Sequence, residues 1–151
     1  MGGRPIQFTK FRTMVANADK LHFEIEHLNE KDGPVFKLKA DPRVTSIGSF
    51  LRRSSLDELP QLWHVFLGKL TLVGPRPHLP SEVARYDDHC WERLSVKPGL
   101  TCYWQVQGRS ELDFDAWIEL DLKYLREMSI LTDLSVLAKT PIAIVSARGA
   151  Y

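Results

Sequence analysis

Between residues 54 and 77 the chain carries three groups suited to phosphate chemistry: adjacent carboxylates at Asp57 and Glu58, then Arg76 between Pro75 and Pro77. A carboxylate pair can hold a hard cation such as Mg²⁺ beside a phosphate, and one of the two can act as nucleophile. A guanidinium offers paired donors to a phosphate or a carboxylate. The prolines fix their own φ and push the residues before them, Gly74 and Arg76, toward extended backbone, so Arg76 is presented on a stiff loop. Two other readings stand beside this one. Ser55 to Glu58 fits a capping box, with Ser55 as N-cap and Glu58 reaching back to it, and Arg76 can be a structural ion-pair partner of either acid. Pro60 fits a simple cap poorly. With Ser55 as N-cap its missing N–H should have bonded the Leu56 carbonyl, so the helix is expected to start a residue or two later or to be irregular.

The elements that must position these groups are read from periodicity. Leu59, Leu62, Trp63, Phe66, Leu67 and Leu70 follow the spacing of a helix with one buried stripe. At ~100° per residue, Asp57 lies about 160° and Glu58 about 100° from Leu59, so neither acid is carried into the core with that stripe. Residues 70–77 read as a short strand that ends in this stiff loop. Upstream, residues 4–14 form a basic strand or loop, residues 15–30 a short polar helix or an irregular lobe, and a helix near 47–53 delivers the chain to the acids. Val35, Lys37 and Lys39 alternate with Phe36 and Leu38 as a strand that breaks at Asp41-Pro42. Downstream, 81–94 reads as a helix with Val83, Tyr86, Cys90 and Leu94 inward, and the turn at Pro98-Gly99 leads into a strand. A second clear helix covers 113–128, with Phe114, Trp117, Ile118, Leu125 and Met128 on one stripe and Asp121 and Tyr124 beside it. The last segment, 132 to about 148, is expected to be capped by Thr132 or Asp133 and to kink at Pro141. It either packs on the core or lies in a bilayer interface.

With 151 residues, 44% hydrophobic and 26% charged, the chain is one ordinary domain, 1–151, with enough apolar content for a core. Two cysteines without a CxxC pair exclude a disulfide framework and a zinc knuckle. The start lacks the apolar core of a signal peptide, and no apolar run is long enough to span a bilayer. Charge is unevenly spread. Residues 1–76 carry 12 Lys and Arg against 8 Asp and Glu, and residues 77–151 carry 8 against 11. The basic half holds Lys10, Arg12, Lys37, Lys39, Arg43, Arg52 and Arg53, which can face phosphates or an anionic membrane surface. His22, Glu26 and His27, and the run 87–90, contain metal-ligand residue types without metal-ligand spacing.

Six motifs together resemble the bacterial sugar transferases, the monotopic phosphoglycosyl transferases that start exopolysaccharide and O-antigen assembly. They are Lys-Phe-Arg-Thr-Met at 10–14, Asp-Pro-Arg-Val-Thr at 41–45, Ser-Leu-Asp-Glu-Leu-Pro-Gln-Leu-Trp at 55–63, Leu-Val-Gly-Pro-Arg-Pro at 72–77, Ser-Val-Lys-Pro-Gly-Leu-Thr at 95–101 and Trp-Gln-Val-Gln-Gly-Arg-Ser at 104–110. The resemblance implies transfer of a sugar-1-phosphate from a UDP-sugar to undecaprenyl phosphate, through a covalent intermediate on Asp57. It implies Mg²⁺ held by Glu58 with Asp57, and phosphate contacts from Arg76, Lys10, Arg12 and Arg43. It also implies an α/β (α+β) fold: a single helix-rich domain with a small sheet and amphipathic interfacial helices, at the cytoplasmic face of the inner membrane, with no nucleic-acid partner. Family members carry an apolar re-entrant helix ahead of the Lys-Phe-Arg motif, and this chain starts just inside that motif. His64 stands where the family usually has Asn. The competing expectation is a non-catalytic UDP-sugar-binding or membrane-surface module.

Overall fold

A computed structural model describes residues 2–147 and 149; the expected end of the last segment near 148 lies outside the described residues. The architecture is mixed α/β, as expected: eight helices and one two-stranded sheet among the described residues. In order these are α1 (Ala18–Ile25), α2 (Ser46–Arg53), α3 (Gln61–Phe66), β1 (Thr71–Val73), α4 (Pro80–Val83), α5 (Asp88–Trp91), β2 (Gly99–Thr101), α6 (Tyr103–Gln107), α7 (Phe114–Glu127) and α8 (Ile130–Ser146). A 3₁₀ turn at Leu56–Glu58 precedes α3.

The core forms around α7. Asp113 caps it, accepting from the Ala116 N–H at 2.7 Å, and Phe114, Trp117, Ile118 and Leu122 pack on Val35, Cys102 and Trp104. Trp104 and Trp117 stack at 4.6 Å between centroids. The expected stripe is therefore found, except that Met128 is 55% exposed. The strands β1 and β2 run parallel, pairing Thr71 with Gly99 and Val73 with Thr101, and the crossover between them contains α4 and α5. A Cβ on Gly99 would lie 2.1 Å from the Gly74 nitrogen, so only glycine permits this close strand contact.

Several expected elements differ. The apolar stripe at 59–67 forms a helix, but it faces outward: Leu59, Leu62, Trp63, Phe66 and Leu67 are 45–78% exposed. The buried residue of α3 is Gln61, and of the six only Leu70, beyond the helix, is buried. Periodicity reports that a helix is one-sided, not which medium its apolar side meets. No strand forms at 35–39. Asn29 satisfies that segment instead, donating to the Val35 carbonyl at 3.0 Å and accepting from the Lys37 N–H at 2.8 Å. Residues 4–14 take the loop form of the two expected, with one antiparallel bridge between Met14 and Val44. The helix expected at 81–94 is split into α4 and α5, because Asp87 adopts extended backbone and caps Cys90. The strand after Pro98-Gly99 stops at Thr101, and α6 takes over. Ser129, rather than Thr132 or Asp133, caps α8, and Pro141 lies within it without ending it.

Candidate active site

Both acids sit on the 3₁₀ turn that α2 feeds. Ser55 enters that turn at φ +56° and makes no side-chain cap, so the capping box does not form. The irregular start that Pro60 pointed to is observed, with Pro60 itself at the N-cap of α3. A non-glycine residue in the left-handed region is uncommon and strained. Its effect here is to turn Asp57 and Glu58 toward the cavity rather than along a helix axis.

The Lys-Phe-Arg segment is stitched to the same turn. The Phe11 N–H donates to the Asp57 carbonyl at 2.9 Å, and the Thr45 N–H donates to the Thr13 carbonyl at 3.0 Å. A Cβ on Gly48 would meet the Thr13 carbonyl oxygen at 1.9 Å, so this glycine lets α2 lie directly on the segment. Lys10 is thereby placed beside Glu58, with Nζ at 2.8 Å from Oε1.

Glu58 is shared between two cations. Arg76 approaches it with both terminal nitrogens, Nη1 at 3.2 Å from Oε2 and Nη2 on Oε1. Burial alone would push the Glu58 carboxyl up, but Arg76 and Lys10 overcome it and hold the group well below the usual carboxylate range. Asp57 differs. It is buried, its side chain accepts no hydrogen bond among the described residues, and burial followed by the Glu58 charge raises its carboxyl pKa against the pull of Lys10, Arg76 and Arg52. An acid that is desolvated and not hydrogen-bonded is the more reactive of the two.

These groups line a cavity of about 660 Å³ with five basic side chains, Lys10, Lys37, Arg52, Arg76 and Arg109, against Asp57, Glu58 and Glu82. The floor is aromatic, with Trp104 and Trp117. Lys37 lies 5.1 Å from the Trp117 ring centroid and donates to the Ser110 hydroxyl; burial and then Arg76 lower its pKa to about 7. Arg52 donates to the Thr13 hydroxyl at 3.0 Å. His78, on the same wall, is kept neutral by burial and by Arg93. An excess of cations around two carboxylates suits a polyanion with a metal, more than a neutral ligand.

Of the sequence candidates, Asp57, Glu58, Arg76 and Lys10 come together. Arg43 does not. It is buried in an ion pair with Asp41 at 2.7 Å, touches His22, and lines no part of this cavity. Arg12 is exposed and also outside the cavity. Lys37 and Arg52 were legible only as part of a basic scatter. Arg109 lay in the Gly-Arg-Ser motif without an assigned role, and nothing local in the sequence marks it as facing Glu58.

The loop carrying Arg76 is braced from behind. Arg93, 1% exposed, donates to the Arg76 carbonyl and to the Tyr86 hydroxyl, each at 2.7 Å, and to the Asp121 carboxylate with both Nε and Nη2. Burial raises the Asp121 carboxyl pKa against the pull of Arg93.

The resemblance implies Mg²⁺ at this acidic pair. Asp57 supplies oxygens that accept no other hydrogen bond, whereas both oxygens of Glu58 are taken by Arg76 and Lys10. Among the described residues no three His, Cys, Asp or Glu side chains converge on one point. Two carboxylates of this kind fit a small hard cation that takes its remaining ligands from water and substrate phosphate.

A profile of the family described as bacterial sugar transferase matches residues 1–147. Among curated relatives, the galactosyl transferase CpsE of Streptococcus agalactiae is 40% identical over 149 residues, covering 98% of this chain and 33% of the relative. The undecaprenyl-phosphate galactose phosphotransferase of Salmonella typhimurium is 42% identical, covering 94% of this chain and 31% of its own length. The UDP-glucose:undecaprenyl-phosphate glucose-1-phosphate transferase of Escherichia coli K12 is 38% identical, covering 93% and 30%. The chain thus spans about a third of the length of these relatives.

Proposed function

The chain belongs to the bacterial sugar transferase family, and on that premise we propose that it transfers a sugar-1-phosphate from a UDP-sugar to a polyprenyl phosphate by way of Asp57. The observation that carries this reading is Asp57 itself, a buried carboxylate without a hydrogen-bond partner beside a carboxylate that holds two cations. Two of these relatives are named for undecaprenyl phosphate, one with galactose and one with glucose, so the sugar stays open.

In the first step a carboxylate oxygen of Asp57 attacks the sugar-bearing phosphorus. A new phosphorus–oxygen bond forms as the bond to the bridging oxygen breaks, and UMP leaves with that oxygen and its electron pair. In the second step a phosphate oxygen of the polyprenyl phosphate attacks the same phosphorus, and the Asp57 carboxylate is the leaving group. Arg76, Lys10 and Lys37 bind the diphosphate, with Arg76 and Lys10 moving their donors from Glu58 to the phosphates. Glu58 is then free, with Asp57, to hold Mg²⁺. When bound, that ion neutralises diphosphate charge so that a carboxylate can approach.

We also assign the outward apolar faces of α3 and α8 to a membrane surface, the cytoplasmic face of the inner membrane. Trp63 and Phe66, 61% and 78% exposed, stack on each other at 5.2 Å, and Ile130, Leu131, Ile142 and Val145 on α8 are 71–86% exposed. No helix among the described residues is long and apolar enough to cross a bilayer, so the fitting geometry is a helix lying in the interface. Trp63→Ser combined with Phe66→Ser is expected to lower cosedimentation with anionic vesicles about tenfold; unchanged cosedimentation removes this assignment.

The catalytic reading is tested by incubating the protein with UDP-glucose or UDP-galactose and Mg²⁺. The expected result is UMP release and a phosphohexose mass increment on the peptide containing Asp57, both absent in Asp57→Asn. Nucleotide-sugar binding without UMP release would support a non-catalytic module instead.

A further inference from the structure

Beside the polar cavity lies a second space of about 190 Å³, a slot bounded by α3, the two strands, α6 and α8. Its walls are apolar, with Leu62, Leu72, Leu100, Leu137 and Ala143 among them. The two threonine hydroxyls on it are satisfied internally, since Thr101 and Thr140 bond each other at 2.9 Å and Thr140 also bonds the Val136 carbonyl at 2.8 Å. Among the described residues its charged groups are Glu58 and Arg109, and both also line the polar cavity, as do Ser55 and Gln105. Those four residues form a throat between the two spaces.

The throat is also where backbone strain is found. Ser55 at φ +56° and Arg109 at φ +51° are two of the three non-glycine residues in the left-handed region among the described residues. Such conformations persist where the surrounding packing imposes them, and they cluster at ligand sites. At the slot's apolar side, Leu59, Leu62 and Leu72 are 44–49% exposed and belong to the outward apolar surface of α3 and β1. An occupant must therefore be apolar along its length, carry its anionic group at one end, and enter from the apolar surface. The volume exceeds the ~150 Å³ of an apolar cavity that admits benzene, so it has room for a branched five-carbon unit.

We propose that this slot seats the first isoprene units of the polyprenyl phosphate acceptor and delivers its phosphate through the throat, past Arg109, to Asp57. This rests on the phosphosugar transfer proposed above, and it adds where the acceptor enters: opposite the diphosphate side, along α8. Donor and acceptor then reach one carboxylate from two spaces of opposite polarity, which suits a two-step transfer.

The test uses farnesyl phosphate and undecaprenyl phosphate in detergent, with two slot-filling variants, Ala143→Leu and Ala143→Phe. The KM for each prenyl phosphate is expected to rise about tenfold in Ala143→Phe relative to the KM for the UDP-sugar, and by less in Ala143→Leu. Equal changes in both KM values, or none, would overturn the assignment. A binding readout separates this from failure of the catalytic reading. Farnesyl phosphate carrying a diazirine on its first isoprene unit should crosslink within residues 137–144 of the wild-type protein, whether or not UMP is released. Crosslinks at Leu62, Leu72 or Leu100, on the other walls, also support the slot, and crosslinks confined to segments that do not line it reject it. Crosslinks at 137–144 in a protein that releases no UMP keep the slot and reject the transfer.

Discussion

Two acid–arginine pairs lie back to back in this protein, and they differ in what surrounds them. Arg93 and Asp121 are each 1% exposed at the side chain, and Arg93 spends its remaining donors on Tyr86 and on the carbonyl of Arg76. Arg76 and Glu58 are 23% and 15% exposed, open on a cavity, and share their charge with Lys10 beside the unpartnered Asp57. The chemical pair is the same. The sealed one has no geometry to exchange into, so it acts as a strut for the loop, whereas the open one can trade its acid for an incoming phosphate. The comparison separates an arginine that holds the site from one that works in it.

The largest expected effect breaks the strut. Arg93→Met leaves Asp121 buried and unpaired, and loss of one partner of a buried pair costs about 3–5 kcal/mol. Thermal unfolding should shift down by on the order of 10 °C for a chain of this size, with or without nucleotide present. A shift of a degree or two would mean that the strut carries little.

The counterpart at the open pair is Arg76→Met. Turnover is expected to fall by about 10²–10³, the cost of removing one positioned donor to a reacting phosphate, while the melting temperature moves far less than in Arg93→Met. Equal losses of stability in the two variants would erase the distinction between them.

The smallest effect sharpens the cavity side. The folded chain releases the Lys37 proton near pH 7, whereas the unperturbed group keeps it to 10.5. Anion affinity should therefore fall as pH rises from 6 to 8.5, by about tenfold, the worth of one charge-assisted hydrogen bond. In Lys37→Met that part of the profile flattens, as titration calorimetry with UDP would measure. The sign for stability is the reverse. The unfolded chain binds more protons between pH 7 and 10.5, so the burden of burying a charged Lys37 is greatest below pH 7 and disappears as pH rises. The gain in melting temperature of Lys37→Met should then be largest at pH 6.

Local chemistry made part of the site legible. Neighbouring acids, a proline-flanked arginine and the misfit of Pro60 are features of a few consecutive residues, and each is found: Ser55 does not cap, the helix starts late, and Arg76 stands before Glu58. The helix expected at 113–128 from its apolar stripe is α7, and the one expected near 47–53 is α2. Arg43 shows the limit of such reading. Its Asp-Pro-Arg motif reads equally as a phosphate contact, yet it folds onto its own Asp41. Val35, Lys37 and Lys39 alternate like a strand, but no neighbouring strand is there to complete a ladder.

The sequence by itself determined the acidic pair, the stiff loop that faces it, and the one-sidedness of the helices, because all three depend on covalent geometry and on spacing within a turn or two. Only the tertiary structure decided which side of α3 is buried, since an apolar stripe is equally at home on a core and in a bilayer interface. Tertiary contacts likewise joined Lys10, Lys37, Arg52 and Arg109 into one cation-lined cavity, and sealed Arg93 and Asp121 behind it. Those contacts link residues far apart in the chain, with 73 positions between Lys37 and Ser110. The parallel crossover and the packing of α7 set such distances, and no local pattern records them.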